Sequence, residues 1–447
     1  MLPLSTNVRF VVYPPSPGHR RYLLEPVEEG WALMEVIHPR CAGIDISKKD
    51  AKVCVRIQGR GGRSTTSTVT TWGSMTGQIL GLKEHLLDEH VDLVVMEATG
   101  DYWRPFYYLL EGDGLNIILV NAHDARNVPG RKTDVSDAAW LADLGAHGLV
   151  RASFVPPPPI RELRDLTRAR TIITQERTRE IQRLEKLLED ACIKLSSVAS
   201  NITGVSGRLI LQALIDGQTD PAVLAEMAQR RLRSKIPELT QALTGRFSAH
   251  HRYMTELYLH RIDAHTADIN DLSARIEAAM EPFRFARELL VSIPGFSTTI
   301  AEVFIAETGA DMSMFPTAGH LASWAGTSPG SNESAGRVKS TKTRPGDRYL
   351  KGALGIAALS CARSKNTYFS ARYVRVASRR GPAKALVAVE HSILTAAWHM
   401  LTTGELYNDP GADYFTRQAP AKTKARAVRQ LESLGYQVTL EPLQQAG

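Results

Sequence analysis

Asp134 and Asp137 stand three residues apart in the stretch KTDVSDA, residues 132–138, just after the Gly-containing basic turn Pro129-Gly130-Arg131. Like charges at that spacing repel on a helix surface. A solvated first helical turn would explain the pair through capping and the helix dipole. The other chemistry open to it is half of a metal site. Two more acids fit that second reading: Asp45, near the end of the run GIDIS, and Glu97, directly after the apolar run 93–96. Singly, each has an ordinary explanation as a turn cap, a strand-end charge or a helix start. Jointly, carboxylates with no His or Cys nearby suit hard cations, above all Mg²⁺. Two such ions would stabilise the attacking and leaving oxygens of a phosphodiester displacement. Without metal the four carboxylates would repel one another.

A second constellation lies in GSNESAGRVKSTKTRPGDRYLKGAL, residues 330–354. Ser331, Ser334, Ser340, Thr341 and Thr343 are mixed there with Arg337, Lys339, Lys342, Arg344, Arg348 and Lys351. A serine hydroxyl among cations could attack a DNA phosphate covalently, with Arg forks holding the phosphate oxygens. A solvated phosphate-binding loop has the same composition.

The elements that must carry these residues can be read from periodicity. Runs 41–47 and 51–58 flank a Lys-Lys-Asp turn and read as a hairpin, followed by a third strand at 64–71. Helical spacing covers 75–89. VDLVVMEATG reads as a strand buried on both faces. A helix at about 102–113, the short strand NIILVN and a helix entered at Asp134 complete the order. Three antiparallel strands followed by alternating helix and parallel strand is the order of a ribonuclease-H-like fold, and sites in open α/β sheets collect at the carboxyl ends of strands. VPPPPI, 155–160, reads as a stiff spacer. A long helix is expected over about 160–199, with a coiled-coil seam at Ile181, Leu184, Leu188, Ala191 and Leu195. A second helical arm over 250–280 carries the stripe Leu257, Ala264, Leu272 and Ile276. The two arms would pair with each other or across a dimer. Pro294-Gly295-Phe296-Ser297 separates two further helical patterns. Such a turn either presents backbone N–H groups to a DNA phosphate, with Gly295 at the contact, or is a plain helical turn. Helices are expected again at about 348–364 and 382–402.

At 447 residues the chain is long enough for two or three domains. The expected division is an arm, disordered or extended, over 1–38; an acid-bearing α/β domain over 39–154; a helical linker over 155–283; a mostly helical domain with the serine loop over 284–405; and a tail over 406–447. Net charge is +7. Its distribution says more, because residues 337–384 hold thirteen Lys/Arg against one acid, Asp347. With Tyr349, Tyr368, Phe369 and Tyr373 interleaved, this block reads as a nucleic-acid footprint. Four scattered cysteines with no CxxC pairing argue against a zinc site or a disulfide framework and suit a reducing cytosol. Residues 1–20 lack the apolar core of a signal peptide. The apolar stretch 385–401 is too short and too polar for a membrane span.

GIDISK, MEATGDYW and RKTDVSDA together resemble the DEDD transposases of the IS-one-ten insertion-sequence family. SNESAGRVKS, GDRYLKGAL, AVEHSILTAAWHML and GADYF resemble the second signature of that family, and the likeness runs in order from about residue 41 to 443. The resemblance implies a RuvC-like N-terminal domain similar to a Holliday-junction resolvase. That domain would use Asp45, Glu97, Asp134 and Asp137 with Mg²⁺. It implies a serine nucleophile at Ser334, in Ser-Ala-Gly-Arg where the family commonly has Ser-Gly-Gly-Lys, with Ser331 the alternative. It also implies recombination of donor and target DNA guided by a structured RNA, and a homodimer or homotetramer that assembles the site. The fold class expected is α/β plus α: the ribonuclease-H-like domain, the coiled-coil linker and a mostly α-helical transposase domain. Two rivals remain: a metal-dependent junction endonuclease that needs no serine, and a non-catalytic nucleic-acid-binding protein. An actin-like sugar kinase or ATPase, suggested by GIDIS alone, lacks the Gly-rich phosphate loops it would need.

Overall fold

A computed structural model describes residues 35–59, 64–98, 100–122, 125, 128, 136–330 and 332–441. The chain divides into two compact units, Met1–Val155 and Pro156–Gly447.

The first unit is built on one mixed sheet. Strands β1 (Arg40–Ile46), β2 (Asp50–Ile57), β3 (Thr66–Gly73), β4 (Leu93–Glu97) and β5 (Ile117–Val120) lie in the order β3-β2-β1-β4-β5. β1, β2 and β3 pair antiparallel, whereas β4 runs parallel to β1 and β5 parallel to β4. This is the strand succession expected from the hydrophobic runs. Side chains alternate across the sheet with period two. Ala42, Ile44, Ile46, Val53, Val94 and Met96 therefore point to one face, where they meet Ile79, Leu82 and Leu86 of α1 (Thr76–Asp88) and Phe106 and Leu110 of α2 (Trp103–Leu110). Cys41, Leu93 and Val95 point to the other, under Leu141 and Leu144 of α3 (Asp137–Ala146).

The second unit is helical. α4 (Pro158–Asp190) starts inside the proline run, because prolines in a first helical turn lack only an N–H that has no partner there. It ends at Asp190, nine residues short of the expected 199. Cys192 takes φ +60°, and Ile193 N–H bonds back to the Leu188 carbonyl at 2.8 Å. That closes the helix in the manner usually assigned to glycine. Ala191 and Leu195, expected on the coiled-coil seam, are buried instead in a small local core. It is filled by α5 (Leu195–Val198), α6 (Val205–Ile215), α7 (Pro221–Glu226) and α8 (Ile236–Ala242).

α9 (Ala249–Ala279) returns antiparallel along α4 in the same chain. His251 Nε2 lies 2.9 Å from Asp190 Oδ2 at one end, and Ile276 shares a core with Ile160 and Leu163 at the other. Its buried residues are His251, Thr255, Leu259, Ile262 and Ile276. The expected stripe is thereby corrected: Ala264 is exposed, and Leu257 and Leu272 are only half-buried. Polar His251 and Thr255 lie on the buried face, which hid the register.

The base of this helical pair is locked to α11 (Thr298–Thr308) by buried ions. Arg168 holds Glu307 with two bonds of 2.8 and 2.7 Å, and Arg170 meets Glu302 at 2.6 Å. α10 (Arg284–Val291), α12 (Ala318–Trp324), α13 (Arg348–Arg363), α14 (Tyr368–Arg380) and α15 (Pro382–Thr403) complete the main core, followed by α16 (Tyr414–Gln418) and α17 (Pro420–Ser433). α14 is an addition to the expected helices. No helix among the described residues is long and apolar enough to cross a membrane.

Candidate active site

β1 and β4 bring two of the acids together. The parallel register pairs Ile44 with Met96, so Asp45 and Glu97 follow one residue further along neighbouring strands, ~4.8 Å apart in the sheet direction. Both share the face of Cys41, Leu93 and Val95, which α3 covers. Glu97 is 6% exposed and ends its strand; Asp45 is half-buried, opposite Lys52 of β2.

α3 supplies the third. Gly43 lies so close beneath it that a Cβ there would stand 2.1 Å from the Ala138 carbonyl and 2.4 Å from the Ala142 nitrogen. A Cβ on Gly145 would stand 2.7 Å from Cys41 Sγ. The helix therefore runs antiparallel to β1, and its first residue, Asp137, lies toward the strand end that carries Asp45. Ser136 caps it in extended backbone, its Oγ accepting from the Ala139 N–H at 3.3 Å. The helix thus begins at Asp137, three residues later than the expected entry. Asp134 falls outside the described residues. Among the described residues no three acid, His or Cys side chains form a group able to hold a metal. The donors present are carboxylate oxygens alone, which fit a hard divalent cation.

Around the acids the sheet face is held by charge. Arg56 of β2 meets Asp143 of α3 at 3.0 Å, and burial pushes the Cys41 thiol up to about 12 despite the nearby Arg56. Cys41 is thus an inert core group.

The serine candidate sits on a hairpin of β6 (Asn332–Ser334) and β7 (Arg337–Ser340). Ser334 and Arg337 are register partners. Between them Ala335 and Gly336 take φ +51° and +73°, the two positive values of a tight two-residue turn. Ala-Gly is therefore a shaped tip, and Ser334 and Arg337 are exposed on either side of it. Ser331 falls outside the described residues. Lys339 of β7 is exposed, as are Lys342, Arg344 and Arg348 further along the chain.

Lys351 is different. Its half-buried Nζ donates to the Gly326 carbonyl at 3.1 Å and to Thr343 Oγ1 at 3.2 Å, across the neck of the loop. Gly295 also faces inward: at φ +87° it packs on α13, where a Cβ would meet the Cys361 nitrogen at 2.9 Å. Periodicity alone could not separate these two from the outward cations. Tyr349, one of the aromatics expected in the basic block, has the guanidinium carbons of both Arg168 and Arg348 over its ring, each 4.7 Å from the centroid.

The two parts of the chain, the acid-edged mixed sheet and the helical unit with the basic hairpin, each match transposase family models. Residues 42–193 match the family model of the IS110 DEDD transposase, and residues 287–374 match that of the transposase IS116/IS110/IS902 family. The chain is 29% identical over 405 residues to the insertion element IS900 42 kDa protein of Mycobacterium paratuberculosis, covering 83% of this chain and 97% of that one. It is 28% identical over 306 residues to the insertion element IS110 43.6 kDa protein of Streptomyces coelicolor, covering 62% and 73%. The chain belongs to the IS110 family of transposases.

Proposed function

We propose that the chain cuts and rejoins DNA strands using the acids Asp45, Glu97, Asp134 and Asp137 together with the nucleophile Ser334. The observation that carries this reading is the pairing of Asp45 and Glu97 at the carboxyl ends of two parallel strands, on the face where α3 starts with Asp137. Mg²⁺ on these carboxylates, when bound, supplies positive charge to the scissile phosphate.

The serine step balances simply. Ser334 Oγ bonds to the phosphorus and gives up its proton, while the bond from phosphorus to the 3′ oxygen breaks and that oxygen takes up a proton. The products are a phosphoserine link to the 5′ end and a free 3′ hydroxyl. The same exchange in reverse, on a new 3′ end, rejoins the strand. Arg337, register partner of Ser334, would hold phosphate oxygens as a fork. Exposed Lys339, Lys342, Arg344 and Arg348 would bind donor and target DNA and a structured guide RNA through their phosphates. The reaction takes acids and serine at one phosphate, and we assign their assembly to a homodimer or homotetramer.

The test is a denaturing gel of protein incubated with its element-end DNA and Mg²⁺. Wild type should give a covalent protein–DNA species, and Ser334→Ala should give none while still binding DNA. Asp45→Ala should lower all cleavage by about 10²-fold or more. Cleavage that survives Ser334→Ala would replace this mechanism with simple metal-dependent hydrolysis, as in a junction endonuclease.

A further inference from the structure

The head at the far end of the α4–α9 pair has a core of its own. Leu195, Ile210, Leu211, Leu214, Leu224 and Leu239 pack there with Leu184, Leu188, Leu259 and Ile262. Residues 195–247 lie outside both segments matched by the family models, 42–193 and 287–374.

One edge of this head is a basic 3₁₀ turn, Arg230–Lys235, with cations at four of its six positions. Gln229 N–H fixes its start by donating to Ser206 Oγ of α6 at 2.9 Å. Two of the four cations serve the fold. Arg233 donates to the carbonyls of Glu226 and Ala228, each at 3.3 Å, and Lys235 Nζ to that of Val198 at 3.3 Å. The other two, Arg230 and Arg231, are exposed and make no ion pair with any described residue. Arg230 also holds φ +51°, a backbone conformation that favours glycine or asparagine. The fold gains nothing visible from an arginine at that position, and strained backbone of this kind collects where a side chain is wanted for another purpose.

We infer that this turn is a separate nucleic-acid contact, in which Arg230 and Arg231 grip the phosphate backbone of duplex DNA without reading its sequence. The partner is a duplex because the turn carries no aromatic ring on which an unpaired base could stack. It is DNA by way of the strand-cutting reading above, on which that one choice rests.

The test is equilibrium binding of the full-length chain to a duplex, followed across salt concentrations. Each phosphate contact contributes ~0.9 to the slope of log K against log salt. Arg230→Gly with Arg231→Gln should reduce the slope by about 2. Arg230→Gly alone should remove about half of that while leaving Tm unchanged or higher, since glycine relieves the left-handed backbone. Unchanged slopes would overturn the inference. So would a binding loss that only follows a fall in Tm, or a loss confined to structured RNA with duplex DNA unaffected. The measurement needs no strand cutting. A failed Ser334 mechanism would therefore leave this result standing, and a failed head contact would leave covalent cleavage intact.

Discussion

Glu390 sits in α15 within the stretch AVEHSIL and is buried, with no hydrogen-bond partner for its Oε2. Burial raises its pKa, and the charge of Lys351 lowers it by less. A carboxyl raised in the folded state contributes stability that is fully present below its ordinary value and is lost as pH rises through the raised one. That contribution is therefore smaller at neutral pH than in acid. Glu390→Gln should raise Tm at about pH 7, and the gain should shrink toward about pH 4, near the ordinary glutamate value. Thermal melts of both proteins across that range check it, and a lower Tm for the variant at neutral pH would contradict it. The Glu-His pair was visible in the sequence, but its burial was not. A carboxylate on the inner face of an apolar helix looks, in one dimension, like one on the outer face.

At the scale of elements, the contact that places Asp137 is the seating of α3 on β1 through Gly43. A Cβ at Gly43 would run into helix backbone at 2.1 Å, and backbone cannot rotate aside as a side chain can. Gly43→Ala should cost about 1–3 kcal/mol by overpacking and lift the start of α3 from the sheet edge, so that DNA cleavage falls along with stability. Denaturant unfolding and the cleavage gel measure the two. Gly77→Ala in α1, where an added Cβ meets nothing within 4 Å, is the control and should leave cleavage intact. Strand order was legible because buried parallel strands are continuous apolar runs and solvent-edged ones are not. The start of α3 was misjudged because Asp134 and Asp137 are equally good helix-start residues, and Ser136 between them takes the cap.

For the whole molecule, the second unit has two distinct hydrophobic clusters, one at the base of the α4–α9 pair and one in the head. Leu211 is fully buried in the head cluster. Leu211→Ala should cost about 2–5 kcal/mol there. Amide hydrogen exchange should show the loss as faster exchange in residues 195–247, with α11, α13 and α15 keeping their protection. Uniform acceleration through all of them would mean that the two clusters unfold as one. The base resists because Arg164, Arg168 and Arg170 pair with buried Glu302 and Glu307. These arginines looked like an ordinary charged helix surface in the sequence.

The linear chain by itself determined the strand succession of the first unit, the places of Asp45 and Glu97 near strand ends, the basic block and the family signatures. All of these follow from local periodicity, turn chemistry and short motifs. Tertiary structure alone decided that α4 stops at Asp190, that a packed head replaces the continued coiled coil, that Lys351 and Gly295 turn inward, and which of the arginines face water. Those outcomes depend on contacts between residues far apart in the chain, and no local pattern records such contacts.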